Sequence, residues 1–276
     1  MGVVVVGSSD WHAGSTIGLM PERVTLNDGQ VVYPSAEQKW LLECWHEFAR
    51  FTKKIAGKRP VVAITNGDLT DNLHHQTTQL WSYRQDEHEQ AAVELARVWD
   101  FVTEWRVVRG TPAHVARGAQ MEERIAKALG CKPNSRGVYS VYDYWADFDG
   151  VRMHWAHHRG GNHRPWTEGN AMRVVVLKMA HLCFEQDIQP PHLVFRSHQH
   201  RRDDTYHKYS NKIRGIALGG WQLKTEFIHK IDPESLLGDI HGVVIECEGG
   251  QYEVHHVGFD LPESMKPQYE TWTATN

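Results

Sequence analysis

Apolar residues fall into two patterns along the chain. Short unbroken runs, Val3 to Val6 and Val61 to Ile64, end at the turn-formers Gly7-Ser8-Ser9 and Asn66-Gly67. Such runs predict strands buried on both faces. Between them, apolar positions recur every three or four residues. Trp40, Leu41, Cys44, Trp45, Phe48 and Phe51 share one helical face, and Ser35 with Gln38 forms a capping box. That pattern predicts a helix over 35–56. A second helix is predicted over 86–102, a strand over 105–109, and a short helix over 121–129 that stops at Gly130. The second half is richer in strands, predicted over 138–145, 151–156, 192–196, 213–218, 227–231, 242–248 and 251–258. One helix, over 170–187, interrupts them and ends before Pro190-Pro191.

Strand–helix alternation followed by many strands predicts a layered α/β domain. No repeat, low-complexity tract or linker marks a second one, so 1–260 is expected to be a single domain and 261–276 a C-terminal tail. A chain of 276 residues buries roughly three quarters of its unfolded surface and needs no staples. Hydrophobic residues make up 41%, charged residues 23%, and the net charge is −4. These values exclude coiled-coil, collagen-like and disordered chains, and give no general attraction to nucleic acid or membrane. The chain lacks the roughly 20 apolar residues of a membrane span, and Val3–Val6 is too short for a signal-peptide core. A soluble, cytoplasmic protein is expected. Cys44, Cys131, Cys183 and Cys247 are far apart and form no CxxC, which predicts reduced, buried thiols.

The chain holds 19 histidines, and their placement changes the picture. In layered α/β sheets, ligands bind beyond the carboxyl ends of the strands. There the sequence puts Asp10-x-His12, Gly67-Asp68-Leu69-Thr70-Asp71, Gly110-Thr111-Pro112-Ala113-His114, His157-His158 and His198-x-His200. Residues i and i+2 of an extended segment point the same way, so Asp10 with His12, and His198 with His200, can each serve one point. Each motif alone is common by chance. Five in succession at strand ends describe a metal site, and mixed Asp and His donors suit Mn, Fe, Zn, Co or Ni better than Ca or Mg.

This order of motifs resembles the calcineurin-like metallophosphoesterases, over about residues 3–247. Gly219-Gly220-Trp221-Gln222-Leu223-Lys224-Thr225 and the form Gly-Thr-x-x-His are similar to the branch found in phages and prophages. The resemblance implies a two-layer β-sandwich flanked by helices, α/β/β/α. It implies two divalent transition metals, Mn, Fe, Zn or Ni. The first would take Asp10, His12, Asp68 and His200, and the second Asp68, His157 and His198. A metal-bridging hydroxide would then attack phosphorus. The third motif departs from the family's Gly-Asn-His, because Thr111 stands in the Asn position and His114 arrives three residues later. His114 is read as catalytic, a proton donor and phosphate contact, with a role as replacement metal ligand the alternative. Asp71 is read as orienting a ligand histidine, with a turn cap as the alternative. His154 is expected on the opposite face of its strand.

Arg159, Arg164 and Arg201, with His163 and Arg202, are expected to form a cationic rim for an anionic ester. The competing expectation pairs Arg201 and Arg202 with Asp203 and Asp204. Trp11, Trp166 and Trp221 are candidates for stacking on a base, against the ordinary expectation of core. Together these features predict a two-metal phosphoesterase acting on a phosphate ester, leaning toward a phosphodiester or nucleic-acid-related substrate. A catalytically silent, metal-stabilised scaffold is the alternative. A mononuclear iron oxygenase would leave most of the strand-end residues unexplained.

Overall fold

The computed structural model describes residues 2–72, 79–115, 120–160, 167, 169–210, 212–231, 238–266, 269–270 and 272. Alternation along β1 (Val3–Ser8) sets the layers. Val4 and Val6 face a helical layer, and Val5 faces a second sheet. The same division holds along β4 (Val61–Asn66), where Ala63 lies in the helix-side core and Ile64 in the inter-sheet core. A run apolar on both faces is what a strand covered on both sides requires.

The first sheet adds β5 (Glu104–Val108), β6 (Ser140–Val141), β12 (Ile240–Glu248) and β13 (Gln251–Phe259). Its order is β13-β12-β1-β4-β5-β6. The β1, β4, β5 and β6 neighbours are parallel, while β12 and β13 join antiparallel. The second sheet contains β7 (Asp143–Phe148), β8 (Val151–Ala156), β9 (Leu193–Arg196), β10 (Asp203–Asp204) and β11 (Arg214–Ala217), in the order β10-β11-β9-β8-β7. Between the sheets, Val5, Ile64, Val108, Val243 and Ile245 meet Trp155, Phe195 and Ile216. Trp155 and Phe195 stack at 3.6 Å.

Helices α1 (Ala36–Ala56), α2 (Gln85–Arg97) and α4 (Gln120–Ala128) cover the outer face of the first sheet. A short α3 (Pro112–Val115) precedes α4. Helix α5 (Asn170–Glu185) covers the second sheet through Val176, Met179 and Cys183, against Val194 and Ile213. The architecture is α/β/β/α. Ser35 caps α1 with both hydrogen bonds of the capping box.

Several local expectations need correction. The strand predicted over 138–145 is two strands, and the chain leaves the first sheet after β6 and enters the second at β7. The segment 227–231, predicted as a strand, is instead in helix α6 (Glu226–Ile231). Thr225 Oγ1 accepts the Ile228 amide, and Glu226 pairs with Lys230 at 2.6 Å, so local capping outweighs a run too short to carry a period. Helix α2 stops at Arg97 in a turn closed by Trp99 N on Ala96 O. A hairpin of β2 (Val24–Thr25) and β3 (Val31–Val32) has no counterpart in the sequence reading.

Trp11 and Trp221 do not face a substrate. Both are fully buried, edge-on to Trp45 at 4.9 and 4.7 Å, so they are core. Trp166 lies outside the described residues. The four cysteines are buried and unpaired. No described helix is long and apolar enough to cross a membrane.

Candidate metal centre

Five residues just beyond β1, β4 and β9 hold left-handed backbone: Asp10 (φ 54°), His12 (48°), Asp68 (54°), His198 (76°) and His200 (50°). Outside glycine this conformation is uncommon, costs of order 1–3 kcal/mol and clusters at functional sites. Backbone hydrogen bonds hold the turns in place. Asp10 N donates to Gly67 O at 2.9 Å, Trp221 N to Asp10 O at 2.8 Å, and Asp239 N to His200 O at 2.7 Å. At Gly67 (φ 93°) a side chain is excluded, because a Cβ would sit 2.7 Å from His157 Cγ.

These turns bring the side chains into two adjoining groups. In the first, His12 Nε2 and His200 Nε2 are 3.2 Å apart, and His200 Nε2 is 3.3 Å from Asp10 Oδ1. Two nitrogens on one tetrahedral zinc lie about 3.3 Å apart, given Zn–N of roughly 2.0–2.1 Å. In the second group, His157 Nε2 is 3.0 Å from Asp68 Oδ2, and His198 Nδ1 is 3.9 Å from the same oxygen. Asp10 Oδ1 joins the groups, at 3.9 Å from His157 Nε2.

The hydrogen bonds around these atoms leave two facing atoms without a partner. His157 Nδ1 donates to Asn66 O at 2.6 Å, which turns Nε2 toward Asp68. Ser9 Oγ and His198 N both donate to Asp10 Oδ2, at 2.6 and 3.3 Å. Asp10 Oδ1 and His157 Nε2 are buried with no hydrogen-bond partner. Buried acceptors facing one another are costly unless a cation lies between them. The donor set therefore fits metal ions. Without metal, burial would push Asp10 up, but His157 and His200 overcome it and hold the carboxyl well below its usual range. Asp68 is held low against burial in the same way, chiefly by His157. Burial opposes a proton on His157, yet Asp68 and Asp10 pull it up to about 9.

Thr111 is committed to Asp68. Its amide donates to Oδ1 at 2.7 Å, and its hydroxyl lies 3.2 and 3.1 Å from the two carboxylate oxygens. Asp71 Oδ1 accepts from His114 Nδ1 at 2.8 Å, and Asp71 Oδ2 accepts from Gln222 Nε2 at 3.3 Å. The His114 ring stands 4.6 Å from that of His12, and the pair shares ligand reach with Asp68. Burial and His12 push His114 below the ordinary histidine value.

The rim is only partly as expected. Arg159 Nη2 donates to Arg201 O at 2.7 Å, so these two are neighbours. Arg201 pairs with Asp239 at 3.4 Å, the other Asp239 oxygen accepts the Arg202 amide at 2.8 Å, and Asp204 pairs with Arg214 and His256. Arg164 and His163 lie outside the described residues. His158 is exposed, yet its ring is 4.3 Å from that of His198. His154 points to the other face, against Arg196 at 3.1 Å.

Sequence reasoning missed Glu122. It is wholly buried, and its Oε2 accepts the Gly110 amide at 2.8 Å. Burial, then the negative charge of Asp68, push it up to about 8. A signal existed, because Glu122 falls on the same helical face as Ile125 and Ala126. Asp239 gave none, and Asn66 and Gln222 stood in quoted motifs with no role of their own. A cavity of about 890 Å³ lies elsewhere, between Pro21–Thr25 and helices α2 and α4, and is lined by none of these residues.

No protein-family model matches the chain, and no curated protein does. Solved structures do match. A solution NMR structure of a Thermotoga maritima protein covers 93% of this chain and 99% of its own, at 14% identity and a TM-score of 0.38. The crystal structure of a 5'-nucleotidase from Candida albicans covers 94% of this chain, at 11% identity and a TM-score of 0.44. This chain spans 52% of the nucleotidase's length. A hypothetical protein from Pyrococcus horikoshii gives 7% identity, coverage of 95% and 90%, and a TM-score of 0.43. At such scores the likeness is loose.

Proposed function

We propose that the chain is a two-metal phosphoesterase of the calcineurin-like type, hydrolysing a phosphate ester and favouring a phosphodiester or nucleic-acid-related substrate. One observation carries the reading. Two donor groups adjoin at Asp10 Oδ1, which with His157 Nε2 is buried without a hydrogen-bond partner, and the donor atoms of both groups lie within 3.0–3.9 Å of one another. Asp10, His12, Asp68 and His200 would hold one ion of Mn, Fe, Zn or Ni, and Asp68, His157 and His198 the other. Bound there, the ions supply a water acidified toward neutral pH and positive charge for the phosphoryl oxygens.

The protein's own groups do the rest. Asn66 fixes the tautomer and ring plane of His157, and Thr111 fixes the Asp68 carboxylate. Such outer partners orient ligands. Asp71, steadied by Gln222, aims His114. With Nδ1 held by Asp71, His114 presents Nε2 to the phosphate and the leaving oxygen, where it would act as the proton donor. Arg159 and Arg201 bind the ester's anionic oxygens.

The test is metal add-back to chelator-stripped protein, assayed on bis-p-nitrophenyl phosphate, p-nitrophenyl phosphate and single-stranded DNA beside His198→Ala. Metal-dependent hydrolysis lost in the variant supports the reading. Absence of any bound transition metal sinks it.

A further inference from the structure

A cavity of about 360 Å³ is lined by Arg152, Pro190, His192, His207, Lys212 and Tyr252. It lies at the end of the second sheet opposite the candidate metal centre. Arg152 opens β8 and His157 follows its last residue, about 17 Å along the strand, and His192 and His198 flank β9 in the same order. The lining holds two cations, two imidazoles and a phenol, and no carboxylate. Among the described residues, neither Arg152 nor Lys212 has an acid within ion-pair distance. Asp147, opposite Arg152 in the β7–β8 register, is exposed and gives its Oδ1 to the Gly150 amide.

One contact in this cavity lacks an acceptor. The Arg152 amide donates to His192 Nδ1 at 3.0 Å, which puts the ring proton on Nε2. Yet His192 Nε2 lies 3.1 Å from Arg152 Nη2, itself a donor. Arg152 Nε donates to Pro190 O at 3.0 Å, so the guanidinium is fixed where it stands. Burial, then the charge of Arg152, push His192 below its ordinary value, which leaves the ring neutral near pH 7. A neutral ring has one lone pair for two donors, and a charged ring has none, so no protonation state removes the conflict. A single oxygen accepting from both N–H groups does remove it. With the guanidinium on one side and the Lys212 ammonium on another, the oxygen of an anion is favoured over that of water.

The facing wall is shaped by an unusual turn. Tyr206 (φ 44°) and His207 (φ 60°) are consecutive left-handed residues, and neither is glycine. Such backbone is uncommon and clusters at ligand clamps. The turn is closed by Lys208 N on Thr205 O at 2.7 Å, and it holds His207 Nε2 2.8 Å from Tyr252 Oη. Tyr252 belongs to β13 of the first sheet, so the cavity sits where the two sheets meet.

We propose that this cavity binds a phosphate dianion, free or as the end group of a small ester. Arg152 Nη2 and His192 Nε2 share one of its oxygens, and Lys212 and His207 meet the others. At about 360 Å³ the cavity is at the small end of ligand pockets, with Pro190 and Tyr252 available to an ester's organic part. The inference does not rest on the phosphoesterase reading, because it uses none of that centre's residues.

The full chain is titrated with inorganic phosphate, zinc-loaded and after chelation, and with glycerol 3-phosphate after chelation. Calorimetry gives the affinity, and the ring N–H signals of His192 and His207 in NMR give the place. Both rings should shift together and saturate with a Kd of roughly millimolar or below. The value for phosphate at these rings should be the same with and without zinc, which separates this cavity from anion held at the metal centre. A tighter Kd for the ester assigns the cavity to phosphate esters, and equal values assign it to free phosphate. Lys212→Gln should weaken binding roughly fivefold and Arg152→Gln roughly tenfold or more. Lys212 is exposed, so its variant keeps the test readable if Arg152→Gln, which also loses the bond to Pro190, fails to fold. Circular dichroism decides which variants are folded. No saturable shift of His192 up to about 20 mM phosphate overturns the proposal. So does a Kd unchanged in folded Lys212→Gln, or a site that takes chloride as readily as phosphate.

Discussion

Gly110 is a severe test of the metal-centre geometry, because its φ is ordinary and only space is at issue. A Cβ at Gly110 would lie 2.8 Å from Asp68 Cγ and closer still to Asp68 Oδ1 and N, against 3.4 Å for the near edge of ordinary contact. In Gly110→Ala the carboxylate must therefore retreat by at least about 0.6 Å. Nothing behind it yields cheaply, since Thr111 holds its Oδ1 and Glu122 holds the Gly110 amide. A displacement near 1 Å costs on the order of 100-fold in rate, so kcat/KM should fall roughly 10–100-fold. Overpacking costs about 1–3 kcal/mol. With an unfolding entropy of about 2.1 cal/mol/K per residue, that lowers Tm by roughly 2–5 °C. Metal content, thermal melting and bis-p-nitrophenyl phosphate hydrolysis read all three effects. A folded variant with native metal content and wild-type rate would refute the placement of Asp68 and the reasoning built on it.

Chelator-stripped protein should melt lower, and each ion restored at 100 times its Kd should add about 2.7 kcal/mol, or roughly 5 °C. No shift with any of Mn, Fe, Zn or Ni contradicts the donor geometry. Asp71→Asn should keep metal and lose roughly 10–100-fold in kcat, as loss of an orienting carboxylate does. Metal lost in step with rate would make His114 a ligand instead. Burial, then His256 and Arg202, push His241 down to about 3. Between the usual 6.5 and that value the unfolded chain binds a proton the fold refuses, so stability falls as pH falls, by up to about 1.4 kcal/mol per unit from this group. Urea melts at pH 7 and 5 should show a flatter dependence in His241→Asn than in wild type, and equal slopes would count against the burial argument.

The layers were legible because valine runs and a helical period announce which faces are covered. Position Ser35 shows the same for a helix start. What was hidden depends on partners distant in sequence. Nothing around 138–145 signals that the chain changes sheets at Tyr142, since both halves are equally strand-like. Residues 227–231 lacked the length to separate a strand from a helix. At the metal centre, the strand-end rule put Asp10, His12, Asp68, His157, His198 and His200 on one list, and the structure brings them together. The sequence could not show that Thr111 is spent on Asp68, or that Arg201 answers to Asp239, because each contact joins residues more than 35 positions apart. Trp11 and Trp221 were ambiguous because a tryptophan beside a site motif looks the same whether it points outward or into the core.

The position of β1 has a consequence for biosynthesis. It is synthesised well before its neighbour β12, which begins at Ile240, and the imidazoles of His12 and His200 that face each other are 188 positions apart. At roughly 5–20 residues per second, about 10–50 s pass before that edge can be covered. Through that interval Val3-Val4-Val5-Val6 is an uncharged, aggregation-prone strand with an open edge. A strand buried on both faces of the finished sheet is thus a liability of the nascent chain. The donors of the candidate metal centre come together only once His200, 188 positions after His12, has been made, so protection by a chaperone during those seconds should set the yield of folded protein.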